Sequence, residues 1–241
     1  MTSIFETAAA ADDLPTGEGA PDIAIGAVKR GSTLTEKVYG RLRHALLRGL
    51  WEPGEKITAR SISREVNVSL TPVREAMMKL ANEGALEVSE TRAFIVPLLD
   101  REQYREVARI RMALEPLATE SALPFVTPKV IDRLEELNET LKELIERERF
   151  KEALQTDSEF HHTIYDQAGE EILKGIIDTL WVRVGPTRNL LSHTYRKRLV
   201  GYQNHKDIIA ALREGDAEAS RQAVHKDISM GAASLCEALQ G

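Results

Sequence analysis

The sequence predicts a mostly α-helical protein in two parts, a small N-terminal unit of short helices closed by a β-hairpin and a longer all-helical C-terminal unit. Three observations predict it. Apolar residues recur at helical spacing through most of the chain after residue 33, and strand-like runs are confined to residues 85–98. Only 5% of the 241 residues are aromatic and 29% are charged, with Ala, Leu, Glu and Arg dominant, which suits soluble helices. A chain of this length buries a sizeable core and divides naturally in two. We expect a disordered tail over residues 1–31, a first domain over 32–99 and a second over 100–241.

The tail carries Asp12, Asp13, Pro15, Gly17, Gly19 and Pro21 among few large apolar residues, and nothing in it repeats. Order should begin at Thr33-Leu34-Thr35-Glu36, a capping-box pattern, with Leu34, Val38, Leu42, Ala45 and Leu46 on one helical face behind it. Pro53-Gly54 breaks the chain. Thr58 is placed to cap a second helix carrying Ile62 and Val66 inward, and Thr71-Pro72 reads as an N-cap followed by proline at the first helical position. Val73, Ala76, Met77 and Leu80 form the stripe of that third helix, and Gly84 ends it. Residues 85–89 and 94–98 are β-prone around Glu90-Thr91-Arg92-Ala93 and suit a hairpin. From Asp100 onward about six helices are expected, with clear boundaries at Thr127-Pro128 and Gly215-Asp216 and a kink or break at Gly185-Pro186.

Helix, tight turn, helix and hairpin in that order describe a winged helix-turn-helix, a unit that presents its second helix to the major groove of DNA. Ser69, Thr71 and Arg74 lie at the start of the reading helix, Arg60 at the start of the helix before it and Arg92 at the hairpin tip. Any one of these arginines alone reads as an ordinary solvated charge; their placement at the three contact regions of one motif favours DNA. Net charge is −6 overall, but Lys plus Arg against Asp plus Glu is 2 against 5 in residues 1–31, 10 against 8 in 32–99 and 20 against 25 in 100–241. The reading unit is the net-positive segment, the sign DNA requires. Cys236 stands alone and fits a reducing cytoplasm, and neither a membrane span nor a secretory signal is expected.

The stretch Val68-Ser69-Leu70-Thr71-Pro72-Val73-Arg74-Glu75-Ala76, continuing through Leu80, Glu83-Gly84 and Leu86, resembles the V-S-R-T-P-V-R-E-A-L…L…E-G-L signature of the GntR family of bacterial transcription regulators. Two positions depart from it. Leu70 stands where the family usually has an arginine that touches DNA, and Ala93 stands where its wing usually has glycine, a substitution that a positive φ would disfavour.

In the second half, Asp157 and His161 are four apart, so on a helix they share a face; His205 and His225 lie on later helices. By spacing, this is either a first shell for Zn²⁺, Ni²⁺ or Mn²⁺ or an acid-histidine pair on a helix surface. The half is similar to the FCD domain, the helical effector-binding domain of the FadR subfamily of GntR regulators. The resemblance rests on Arg111-Met112-Ala113-Leu114-Glu115, Asp157-x-x-Phe160-His161, His205-x-x-Ile208-x-x-Ala211-Leu212, Gly215-Asp216-Ala217 and His225. It implies a divalent metal ion held by Asp157, His161, His205 and His225, with a small carboxylate or sugar acid in the open positions. Arg111 is implied to project toward that pocket, with Arg183 and Arg188 as weaker candidates for the effector, since either also suits covering the helix surface with its stem. Glu115 is expected to support Arg111.

The resulting expectation is a ligand-responsive homodimer, by family prior a repressor, that binds double-stranded operator DNA and is not an enzyme. Two competitors remain: a hydrolase-like helical metalloenzyme with an appended DNA-binding domain, and a regulator for which the metal itself is the signal.

Overall fold

The computed structural model describes residues 33–90 and 93–239, so the tail expected over 1–31 and Arg92 lie outside the described residues. Helix α1 (Leu34–Leu47) opens with the capping box its sequence spells: Glu36 N–H donates to Thr33 Oγ1 at 3.2 Å and Thr33 N–H donates to Glu36 Oε2 at 2.6 Å. Its buried stripe is Val38, Leu42 and Leu46. Strand β1 (Lys56–Ile57) follows, then α2 (Ala59–Glu65), whose Ser61 N–H donates to Thr58 Oγ1 at 3.0 Å. Asn67, at φ 53°, makes the turn into α3 (Leu70–Asn82).

Helix α3 starts two residues earlier than Thr71-Pro72 implied. Ser69 is the N-cap and Pro72 is the third helical residue, still among the first four whose N–H has no partner within the helix. The hydroxyl of Ser69 makes no capping bond. Strands β2 (Glu87–Val88) and β3 (Phe94–Ile95) form the expected hairpin, with Glu87 opposite Ile95 and Val88 opposite Phe94. β1 pairs with the other edge of β3, giving the order β1-β3-β2. Two residues are too short to leave a period of two, so β1 has no signature in the sequence. Ala93 needs no glycine: the described non-glycine residues at positive φ are Asn67, Glu148 and Leu199.

The second half is α4 (Arg101–Ala122), α5 (Pro128–Glu146), α6 (Phe150–Tyr165), α7 (Glu171–Val184), α8 (His193–Lys197), α9 (Val200–Glu214) and α10 (Ala217–Ala238). Seven α-helices are described here against about six expected, because α8 is a five-residue turn of helix too short to show a period. Thr127 caps α5, Gly215 at φ 70° ends α9, and Asp216 caps α10. At Gly185-Pro186 the chain leaves α7 for a 3-10 turn over Pro186–Leu190.

Two cores result. Phe160, Ile164, Ile177, Trp181, Ile208 and Val224 centre the helical half, and Leu46, Val73, Met77, Leu80 and Val96 centre the reading half. Val182 of α7 belongs to the second cluster, and Leu47 packs against both. Residues 32–241 therefore form one unit whose halves meet at a seam between α1 and α7. Arg43 Nη1 lies 3.3 Å from Asp178 Oδ2 across it, and Asn189 Nδ2 donates to the carbonyls of Gly49 at 2.9 Å and Trp51 at 3.3 Å. Glycine at 185 lets the backbones touch, since a Cβ there would stand 2.3 Å from the Leu46 carbonyl oxygen.

Candidate metal centre and DNA-reading face

Helix α6 projects Asp157 and His161 from one face, and α9 brings His205 against them. One ligand atom from each lies within 4.8 Å of the other two, and both histidines are buried. The surroundings prepare His205 as a ligand. Asn138 commits its Nδ2 to the Tyr202 carbonyl at 3.1 Å, so its Oδ1, 3.2 Å from His205 Nδ1, accepts the proton there. The lone pair then sits on Nε2, which is buried, has no hydrogen-bond partner among the described residues and faces Asp157 Oδ1 at 3.5 Å. Burial also pushes the His205 pKa down to about 4, which keeps the ring neutral as a metal requires.

His161 is held differently. Tyr165 donates its hydroxyl proton to Glu115 Oε2 at 2.7 Å and presents its oxygen to His161 Nδ1 at 3.3 Å. His161 Nε2 meets Asp227 Oδ2 at 3.2 Å. Burial opposes charge on this ring, but the Asp227 bond and the carboxylates of Asp157 and Glu115 outweigh it and raise the His161 pKa. Despite its own burial, the Asp227 carboxyl is drawn down to about 2, mainly by that bond. The contact holds a proton between nitrogen and oxygen, and a divalent cation satisfies the same two atoms. Two histidines, two carboxylates, an orphaned buried Nε2 and an outer amide that sets a tautomer fit a metal of the Zn²⁺, Ni²⁺ or Mn²⁺ type.

On α10 it is Asp227, and not the expected His225, that meets His161. Ser220, Ala223, Val224 and Ile228 are the buried stripe of α10, and residue 227 continues it three positions after Val224. His225 follows Val224 directly, so it turns roughly 100° away and is exposed.

Two of the three expected arginines reach the site. Arg188 Nη2 pairs with Asp157 Oδ2 and its Nη1 donates to Ser158 Oγ at 2.8 Å. Arg111 forms a fork with Glu115, Nε to Oε1 at 2.6 Å and Nη2 to Oε2 at 3.3 Å. Both guanidinium groups lie over Trp181, with Cζ 4.2 Å (Arg111) and 4.7 Å (Arg188) from a ring centroid. Arg183 does not join them. It is exposed at the end of α7, and its guanidinium stands beside Gly84 of the reading half, because the 3-10 turn after Gly185 redirects the chain only beyond it. A cavity of about 80 Å³ lies among Arg111, Asp157, His161, Trp181, Arg188 and Asp227, with Leu191, Ile228 and Leu235 also on its wall.

On the reading half, Arg60, Arg64, Leu70 and Arg74 line a groove of about 540 Å³, with Thr58 and Ala93 at its edges. Ser69, Leu70, Thr71 and Arg74 are exposed at the N-terminus of α3. Arg64, which the motif does not single out, lies one turn after Arg60 on α2 and shares its face.

A model of bacterial regulatory proteins of the gntR family matches residues 34–96, and a model of the FCD domain matches residues 106–229. The chain belongs to the GntR family. McbR, an HTH-type transcriptional regulator of Escherichia coli K12, is 32% identical over 191 residues, 78% of this chain and 86% of McbR. The gluconate operon transcriptional repressor of Bacillus subtilis is 25% identical over 209 residues, 83% of this chain and 84% of the repressor. Among solved structures, E. coli McbR/YncC aligns at a TM-score of 0.75 and 30% identity, over 85% of this chain and 98% of that one. A GntR regulator from Rhodococcus sp. RHA1 aligns at 0.69 and 20% identity, over 83% and 96%, a likeness of fold. This GntR protein is accordingly a DNA-binding transcription regulator with an FCD domain, and the relatives it matches are regulators and not enzymes. No described helix is long and apolar enough to cross a membrane.

Proposed function

We propose that operator binding by this regulator is modulated by a small carboxylate or sugar acid bound beside a divalent metal ion held by Asp157, His161, His205 and Asp227. The observation that carries the reading is the buried, unpartnered Nε2 of His205 aimed at Asp157, with Arg188 at the same carboxylate. A bound cation would supply positive charge for the effector carboxylate.

The chain's own residues supply the route to DNA. Arg188 faces two anions in turn, Asp157 without effector and the effector carboxylate with it. Its neighbour Asn189 grips the carbonyls of Gly49 and Trp51, directly after α1. Arg196 Nη2 ties the two together by donating to the carbonyls of Arg188 at 3.1 Å and Asn189 at 2.8 Å. A shift of Arg188 is thereby carried to the hinge of the reading half, and effector and operator affinities are coupled reciprocally.

The operator contacts proposed are Ser69, Thr71 and Arg74 at the reading helix and Arg60 and Arg64 on the flanking phosphates, with Arg92, between β2 and β3 in the sequence, as a further candidate. A homodimer would match two half-sites. An apolar stripe supports it: Ile110 and Leu117 on α4 are 39% and 45% exposed, and Ile172 and Ile176 on the adjoining α7 are 83% and 47% exposed. Repression relieved by effector is the adopted sign, in line with the repressor naming of one relative.

The test is operator affinity of zinc-loaded protein, on a site obtained by selection from random DNA, with and without gluconate and a panel of small carboxylic acids. Release by an acid that is lost in His205→Ala supports the reading; release by zinc alone makes the metal the signal; release by neither overturns it.

A further inference from the structure

We propose that the effector is a carboxylic acid with a short hydrocarbon arm, and not a polyhydroxylated acid, an inference that rests on the carboxylate reading above. A second cavity of about 70 Å³ adjoins the one beside His161 and Asp227, and the two share Asp157, Arg188, Leu191, Tyr195 and Gly201 as walls. Beyond that shared wall the second cavity is apolar. Its lining comes from Leu141 and Ile145 of α5, Phe150, Ala153 and Leu154 of α6 and Val200 of α9. The remaining polar wall residue, Arg196, spends its Nη2 on the carbonyls of Arg188 and Asn189 and lays its guanidinium over Phe150 at 4.7 Å.

The division selects a ligand with two ends. A carboxylate belongs at the junction, where Arg188 stands between the compartments. Whatever extends past it meets mostly carbon. One hydroxyl can meet the buried, unpartnered Nε of Arg196; each further one finds no partner in the apolar part and weakens binding roughly tenfold or more. A methylene carried there leaves water and tightens binding about fourfold, equivalent to about 0.8 kcal/mol. Size limits the arm: with about 10–15 Å³ of cavity space for each water-sized group, a cavity of about 70 Å³ admits about five carbons.

The experiment is calorimetric titration of zinc-loaded full-length protein with acetate, propionate, butyrate, pentanoate and octanoate, and with gluconate. Affinity should rise about fourfold per methylene until the arm fills the cavity, then level or fall by octanoate, with gluconate no tighter than acetate. In Ala153→Leu, whose added carbons occupy the compartment, the series should flatten; a melting curve checks its folding, and the wild-type series decides if it does not fold. Binding of gluconate with no dependence on alkyl length overturns the hydrocarbon arm and leaves the carboxylate reading standing. Binding of neither series overturns both.

Discussion

Replacing Gly185 by alanine tests the seam through which any effector signal must reach the reading half. The local backbone, at φ −48° and ψ −54°, accepts alanine without strain. In open space the change would stabilise the protein by about 0.4–1 kcal/mol through the unfolded chain. The contact reverses the sign. The new Cβ would lie 2.3 Å from the Leu46 carbonyl oxygen and 3.1 Å from both the Leu46 carbonyl carbon and Leu47 Cα. Carbon and oxygen ordinarily come no closer than about 3.3 Å, so α1 and the end of α7 must separate by about 1 Å. No flexible side chain can yield instead, because all three atoms are main chain and Leu46 is fully buried. Overpacking of this kind costs about 1–3 kcal/mol. For a protein of this size each kcal/mol lowers Tm by about 2–4 °C, so a fall of about 2–12 °C is expected by calorimetry. Gly40→Ala, in the middle of α1 with nothing within 4 Å of its Cβ, is the control and should melt at or above the wild type. A Gly185→Ala protein that melts as high as Gly40→Ala would refute the close approach and with it the seam.

Three further outcomes follow from the sites. Asp227→Ala should lower zinc retained after dialysis, by elemental analysis, while His225→Ala should retain the wild-type amount; the reverse pattern would return the fourth ligand to His225. Leu70→Arg, which adds a charge beside Arg60, Arg64 and Arg74, should tighten operator binding and steepen its salt dependence by about 0.9 in slope if it meets one phosphate; an unchanged slope would remove Leu70 from the interface. Although burial opposes charge on Asp178, His162, Arg43 and Lys174 draw its carboxyl down from 3.8 to about 2. A folded value below the unfolded one gives stability that is present above about pH 4 and lost as pH falls through 2. Asp178→Asn should therefore flatten the loss of Tm across that window, and an unaltered acid limb would show that the ion pairs of Asp178 contribute nothing.

Much of this was legible in the chain because it depends on neighbours in sequence. Thr33 and Glu36, Thr58, Thr127 and Asp216 cap helices through groups three residues away, and each does so in the structure. The stripe Val73, Ala76, Met77 and Leu80 is buried as its spacing implies. Asp157 and His161 share a face for the same reason. Where the sequence misled, distant groups intervened. β1 exists because β3 offers it an edge, and Arg183 lies beside Gly84 and not in the pocket.

The sequence by itself determined the family, most of the helix boundaries and the pairing of Asp157 with His161 on one face, since helical period and capping are local and the signature is contiguous. Tertiary structure decided which of those groups meet. It turned Asp227 inward and His225 outward, set the tautomer of His205 through Asn138 on another helix, and placed Arg188 at the site beside Asn189 at the seam. Each of these depends on how one helix is rotated and seated against another, which is fixed by packing of side chains far apart in the chain.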